Sequence, residues 1–151
     1  MNSAHDIAKY VIAFFQKCED PITNLKLQKI LYYIQGWYLG LYEIPAFEEP
    51  LQAWVHGPVQ PGVYQAYKHY RWDPISEEIV APDLPDKMKA HIQDVLDEYG
   101  VETAYWLERA THQEEPWIKA RNGIPLDQDC KNEITKESMK NYFKRLANEK
   151  D

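Results

Sequence analysis

The apolar residues near the start of the chain recur at the spacing of an amphipathic helix. Over residues 2–18 they fall on one face, at Ile7, Val11, Phe14, Phe15 and Cys18. Ser3 is a good N-cap, because its hydroxyl can accept the N–H of Asp6 three residues later. Asp20 precedes Pro21 and is therefore pushed away from helical backbone, so we expect the first helix to end before it.

A second helix is predicted after Thr23, which is a good N-cap, with Ile22 able to pack on Leu27 one turn later. Its apolar stripe runs through Leu27, Ile30, Leu31, Ile34, Trp37 and Tyr38. Apolar residues also lie off that stripe, at Leu25, Tyr32 and Tyr33. A helix that is apolar on more than one side is either central in the fold or faces a partner.

The hydrophobic period changes after this helix. Pro45 and Pro50 interrupt helical backbone, and residues 51–55 have the composition of a short strand. Residues 56–58 predict a turn into a third helix that begins near Gln60 and Pro61. Residues 74–80 are predicted to form a second strand, paired with the first in a small sheet.

The second half of the chain again predicts helices. Asp83 is the expected cap of a helix that ends at Gly100, and further helices are expected at 103–112 and 115–121. Thr135 is the expected cap of the last helix. No repeat or linker divides the chain. We therefore predict one α+β domain over residues 1–151, predominantly helical, with six or seven helices and a two- or three-stranded sheet.

Charge and cysteine content narrow the functional classes. The formal net charge is −7, which argues against a broad phosphate-binding surface and favours protein partners. The sequence shows no signal peptide and no membrane span. Cys18 and Cys130 lie far apart, so we expect reduced thiols in a cytoplasmic protein. Cys18 falls on an apolar helix face, whereas Cys130 lies in a polar loop where its thiol could react.

The motifs of phosphate and metal chemistry are missing. Residues 57–62 have the two-glycine spacing of a P-loop but lack its Lys and its Ser or Thr. The five histidines form no HxH or HExxH spacing, so no metal or cofactor is predicted. One alternative remains open, a small hydrolase or metal-dependent enzyme with His56 and His112 brought together in space. A nucleic-acid-binding regulator that uses Lys9, Lys26 and Lys29 is another.

Large aromatic residues beside turns form the most informative pattern. The chain has 11 Tyr, 5 Trp and 4 Phe; we expect most of them in the core, and the number leaves some for a protein-binding face. Partly exposed aromatics dominate protein interfaces. We predict a partner-binding surface around Tyr33, Trp37, Trp54, His56, Pro58 and Tyr64.

Three blocks of sequence give the chain a family resemblance. They are ITNLKLQKILYY at residues 22–33, EPLQAWVHGPV at 49–59, and TH at 111–112 with EPWIKAR at 115–121. In this order the blocks resemble the Panacea domain, also described as SocA-like antitoxin or phage-associated protein. The resemblance covers most of the chain.

The resemblance implies a role in binding another protein. Members of this family resemble antitoxins that neutralise a toxin encoded beside them, by direct contact or as an adaptor that delivers the toxin to a bacterial protease. The family supplies no agreed catalytic residues. Many antitoxins carry a separate DNA-binding segment, for which we expect no room here. The expected partner is a cognate toxin, with a protease as a second.

Overall fold

The architecture is predominantly helical with one small sheet, as predicted. The computed structural model describes residues 2–149. In that range the α-helices are α1 (Ala4–Lys17), α2 (Asn24–Tyr42), α3 (Pro61–Tyr67), α4 (Asp86–Tyr99), α5 (Ala104–Thr111), α6 (Glu115–Arg121) and α7 (Lys136–Glu149). A 3-10 turn, Lys68–Tyr70, continues α3. The strands are β1 (Leu51–Trp54), β2 (Gly57–Val59) and β3 (Glu133–Ile134).

Helix α2 lies at the centre of the fold and is buried along almost its whole length. It packs against α1, α3, α4, α5, α7 and β2. The closest neighbour is α7, whose Phe143 lies against Gly36 and Gly40 of α2. A Cβ atom at Gly40 would be 2.7 Å from Phe143 Cβ, so the two helices could not approach as they do with larger residues. The two-sided apolar pattern therefore reflects a central helix.

The predicted helix starts are mostly confirmed. The hydroxyls of Ser3, Thr23, Thr103 and Thr135 each accept the N–H three residues later, as capping requires. The prediction for Asp83 is wrong. Helix α4 begins at Asp86, with Pro85 at its N-cap position, and Asp83 instead pairs with Lys89 at 3.2 Å.

The sheet has three antiparallel strands in the order β2-β1-β3. Ala53 of β1 lies opposite Pro58, and Leu51 lies opposite Ile134. Strand β1 was predicted, but its partners are the segment predicted as a turn and a two-residue strand near the C-terminal helix. The sheet therefore connects the middle of the chain to its end.

The predicted strand at 74–80 is absent from the described structure. Most of the backbone hydrogen bonds of this segment are made by the side chain of Gln16 of α1. Gln16 Nε2 donates to the carbonyls of Ile75 (3.2 Å) and Glu77 (2.8 Å). The N–H of Ile79 donates to Gln16 Oε1 at 3.1 Å. An isolated bridge between Thr23 and residue 74 is the remaining strand-like contact. A side chain thus replaces the neighbouring strand.

The two cysteines have the opposite exposure to that expected. Cys18, predicted to be inert on an apolar face, is exposed at the end of α1. Cys130, considered for reactivity, is buried, and its Sγ accepts the N–H of Asn132 at 3.4 Å. Among residues 2–149, no helix combines the length and the apolar character needed to cross a bilayer.

Candidate partner-binding site

A pocket of about 800 Å³ opens between the start of α2, the β1–β2 hairpin, the end of α3 and the loop before β3. It brings together three of the six predicted contact residues, Trp54, His56 and Tyr64. The rings of Trp54 and Tyr64 meet edge to face, 5.0 Å apart. Trp72 lies at the same pocket and is 83% exposed. The pocket thus combines rigid aromatic walls with an exposed aromatic side chain.

The other three predicted contact residues are buried. Tyr33 stacks on Tyr99 with ring centroids 3.9 Å apart, and Trp37 Nε1 donates to the Tyr99 hydroxyl at 2.9 Å. Both therefore belong to the packing between α2 and α4. Pro58 is buried within β2. Of the six predicted contact residues, the pocket therefore contains Trp54, His56 and Tyr64.

Three polar side chains of α2 form the floor of this pocket: Asn24, Gln28 and Lys29. Gln28 Oε1 accepts the backbone N–H of Gln60 at 2.9 Å, and Gln28 Nε2 donates to Asn24 Oδ1 at 2.9 Å. Asn24 Nδ2 then donates to the Tyr64 carbonyl at 3.1 Å. This chain of hydrogen bonds fixes the start of α3, and with it the position of the Tyr64 ring.

Lys29 is the most unusual residue of the floor. It is fully buried, and its Nζ has no hydrogen-bond partner among the described residues. Burial lowers the pKa of Lys29 to about 7, although the charge of Glu108 opposes that shift. The backbone of the β1–β2 hairpin covers the Lys29 stem at Gly57, where a Cβ would be 2.9 Å from Lys29 Cε. The sequence pattern placed this lysine on the surface, and that interpretation is wrong.

The basic patch proposed for nucleic acid does not form. Lys9 is exposed, but Lys29 lies in the core. Lys26 donates to the carbonyl of Gly100 at 2.7 Å and lies over the Phe15 ring. The three lysines therefore share no common solvent-facing surface.

The histidines of the alternative enzyme hypothesis lie near one another but differ in environment. His56 is exposed, and its Nδ1 lies 3.1 Å from Glu108 Oε1. His112 stacks on Trp117 with ring centroids 4.0 Å apart, and its buried Nε2 has no partner among the described residues. Burial lowers the pKa of His112. Within residues 2–149, no three His, Cys, Asp or Glu side chains are grouped to hold a metal ion.

Side chains of helix α6 donate hydrogen bonds to the backbone of strand β1, next to the pocket. Trp117 Nε1 donates to the Trp54 carbonyl at 2.9 Å, and Arg121 Nη1 donates to the Ala53 carbonyl at 3.0 Å. Arg121 Nη2 also donates to the carbonyls of Pro125 and Gln128, each at 2.6 Å. One buried guanidinium therefore connects β1 to the loop that forms a wall of the pocket.

A second buried titratable group lies at the start of α6. Glu114 accepts hydrogen bonds from the hydroxyls of Tyr32 (2.9 Å) and Tyr33 (3.0 Å). Burial raises the pKa of Glu114 to about 7, and the two hydrogen bonds oppose the shift. This carboxyl explains why Tyr32 and Tyr33 can both be buried with satisfied hydroxyls.

The three blocks of the family resemblance therefore meet in space. Gly57 of the second block lies against Lys29 of the first, and a Cβ there would be 3.1 Å from Oγ1 of Thr111 in the third. The sequence model of one family, described as "Antitoxin SocA-like, Panacea domain", matches residues 27–118. The chain belongs to this family. The matched range of the Panacea domain contains the Lys29, Gly57 and Thr111 contacts and most of the pocket floor.

A curated relative supports the same family. The Panacea-domain chain is 31% identical over 116 residues to Antitoxin SocA of Caulobacter vibrioides (strain NA1000 / CB15N). The aligned region covers 68% of this chain and 62% of that relative, so the chain spans less than two thirds of the relative's length. No solved structure matches the chain.

Sequence reasoning missed several residues of the site. Gln28 and Asn24 carried a signal, because they are one turn apart on a helix that is otherwise apolar on most sides. The loop residues at the pocket carried none, since they come from two segments separated by more than fifty positions. They are Lys68, Arg71, Trp72, Asp127, Asp129 and Lys131.

Proposed function

We propose that this Panacea-domain chain is an antitoxin that binds a cognate toxin by direct contact at the pocket of Trp54, His56 and Tyr64. The observation that carries the proposal is the placement of these residues around one pocket of about 800 Å³ in a member of an antitoxin family. Two of the three are aromatic, and aromatic residues in concave, well-packed sites supply most of the binding energy of protein interfaces. The expected setting is the cytoplasm.

A binding role fits the interior better than an enzymatic one. Lys29 and His112 have perturbed pKa values, which often mark catalytic groups. The Lys29 amine, however, is covered by the hairpin, and the His112 ring is stacked on Trp117. A substrate would reach neither reactive nitrogen without displacement of this packing. We therefore assign both residues to positioning the pocket.

Co-expression with the product of the adjacent gene tests the proposal. We expect that product to stop growth when expressed alone, and to be harmless and co-purify when expressed with this chain. An adjacent product that is harmless alone, or that never associates with this chain, would overturn the proposal.

Two matched tryptophan variants then locate the contact. Trp72 lies at the pocket, whereas Trp106 is also exposed but lies on α5 outside it. We expect Trp72→Ala to weaken co-purification and growth rescue, and Trp106→Ala to leave both unchanged. Equal effects of the two variants would place the contact elsewhere.

Toxin lifetime separates blocking from delivery to a protease. If the chain blocks its toxin, the toxin's half-life in a pulse-chase stays the same or increases when the chain is present. If the chain acts as an adaptor, the half-life falls, and deletion of the host protease restores it. Both mechanisms use the same contact surface.

A further inference from the structure

The pocket has the opposite charge balance to the chain as a whole. The chain carries a formal net charge of −7. Among the exposed charged side chains at the pocket, basic groups outnumber carboxylates three to two, with Lys68, Arg71 and Lys131 against Asp127 and Asp129. A local excess of basic groups on an acidic protein produces a field that attracts negatively charged partners to that one place.

Three of the basic groups at this pocket are available to a ligand. Lys68, Arg71 and Lys131 are exposed, and none of them forms an ion pair with a residue in 2–149. Lys29, at the floor, is fully buried under the β1–β2 hairpin and is not one of these accessible groups.

Aromatic groups line the same pocket as these charges. Trp54 and Tyr64 are half-buried walls, and Trp72 next to Arg71 is largely exposed. A small inorganic anion would use the basic groups and leave these rings without a role. A peptide segment with carboxylates and apolar side chains would use both.

We propose that the pocket receives an acidic segment of the toxin, with its carboxylates facing Lys68, Arg71 and Lys131 and its apolar side chains against Trp54, Tyr64 and Trp72. This inference rests on the antitoxin function proposed above and adds the chemistry of the partner's contact region. Charge complementarity of this kind raises the association rate and selects the partner.

Paired charge variants of the full chain test the inference on the complex with the adjacent gene product. Lys68→Glu with Lys131→Glu reverses two pocket charges, and Lys9→Glu with Lys17→Glu makes the same change in net charge on α1, outside the pocket. We expect the pocket pair to raise Kd by about tenfold or more at low salt, and the α1 pair by less than about threefold. Lys68→Arg with Lys131→Arg should retain the Kd. Thermal unfolding checks that every variant is folded.

The outcomes separate the inference from the function on which it rests. If the complex forms but the two Glu pairs weaken it equally, or neither weakens it, the inference is overturned and the antitoxin proposal stands. If the pocket pair weakens binding and added salt weakens binding of the unsubstituted chain, the inference is supported. If the unsubstituted chain forms no complex, both are overturned.

Discussion

Gly57 lies directly against Lys29: a Cβ atom at Gly57 would be 2.9 Å from Lys29 Cε and 3.1 Å from Thr111 Oγ1. The backbone of Gly57 also has a φ of 110°, a region that residues with a Cβ rarely adopt. Two separate reasons therefore favour glycine here: the positive φ of the turn, and the lack of room for a Cβ above the buried Lys29 side chain.

Gly57→Ala should therefore destabilise the fold for two separable reasons. The left-handed backbone contributes about 1–3 kcal/mol, and crowding against Lys29 contributes about 1–3 kcal/mol more. Gly123→Ala is the matched control, because Gly123 has a φ of 84° but nothing within 4 Å of its would-be Cβ. Chemical denaturation should show a larger loss for Gly57→Ala. Equal losses would mean that the Lys29 contact is unimportant.

The contact between α2 and α7 makes a second prediction. Gly36→Ala should destabilise the protein by about 1–3 kcal/mol or more, because the new methyl group would overlap the Phe143 ring. In an open helix the same change would stabilise by about 0.5–1 kcal/mol, so the sign of the effect is diagnostic. Urea denaturation measures it.

A smaller side chain at residue 143, which faces Gly36, provides the control. Phe143→Leu shortens the side chain, so the loss caused by Gly36→Ala should be smaller in that background. Additive losses in the double variant would contradict a direct clash.

Local signals predicted the helices well and the sheet poorly. Thr23 and Thr135 are recognisable as caps because capping depends on residues only three positions apart. Strand β2 has three residues, of which one is proline and one a glycine at positive φ, so nothing in its own composition indicates a strand. Its pairing depends on β1 and on the turn between them.

The candidate site was predictable only in part, for the same reason. Lys26 and Lys29 have similar local sequence surroundings, yet Lys26 is half-buried and Lys29 is fully buried. Part of the cover over Lys29 comes from the backbone at Gly57, 28 positions later in the sequence. Trp54, His56 and Tyr64 lie beside turn residues within one short segment, so the sequence could group them, and the structure places them at one pocket.

Glu114 should make stability fall between about pH 4.5 and 7. Its folded pKa is raised from 4.5 to about 7, so the folded state holds a proton that the unfolded state has lost in this interval. The contribution is fully present below about pH 4.5 and is lost as pH rises through 7. Urea unfolding at several pH values should show that Glu114→Gln removes this part of the pH dependence. An unchanged pH dependence in Glu114→Gln would contradict the prediction.

Lys29 should make stability rise between about pH 7 and 10.5. Its folded pKa is lowered from 10.5 to about 7, so in this interval the unfolded state binds the additional proton. Lys29→Met, which is similar in shape and uncharged, should remove the rise. The pKa values of His91 and His112 are also lowered, so these histidines change the stability below about pH 6.5. The quantity to compare is therefore the difference in unfolding free energy between each variant and the unsubstituted chain at the same pH. Parallel curves for Lys29→Met and the unsubstituted chain above pH 7 would show that the buried amine does not titrate.

Arg121 couples the stability of the core to the shape of the pocket. Its guanidinium donates to the carbonyls of Ala53, Pro125 and Gln128, and a lysine ammonium cannot reproduce that planar geometry. Arg121→Lys should lose about 3 kcal/mol of stability or more, since hydrogen bonds from charged groups are strong and the freed carbonyls are partly buried. Arg145→Lys, at an exposed ion pair with Glu115, should change stability little.

Partner binding extends this test from stability to function. The loop held by Arg121 leads into the pocket wall at Asp127, Asp129 and Lys131. Arg121→Lys should therefore raise the Kd for the toxin at temperatures where the variant is still folded, because the wall is no longer fixed before binding. A folded Arg121→Lys protein with unchanged Kd would contradict the prediction, and would mean that binding does not depend on how Arg121 holds this wall.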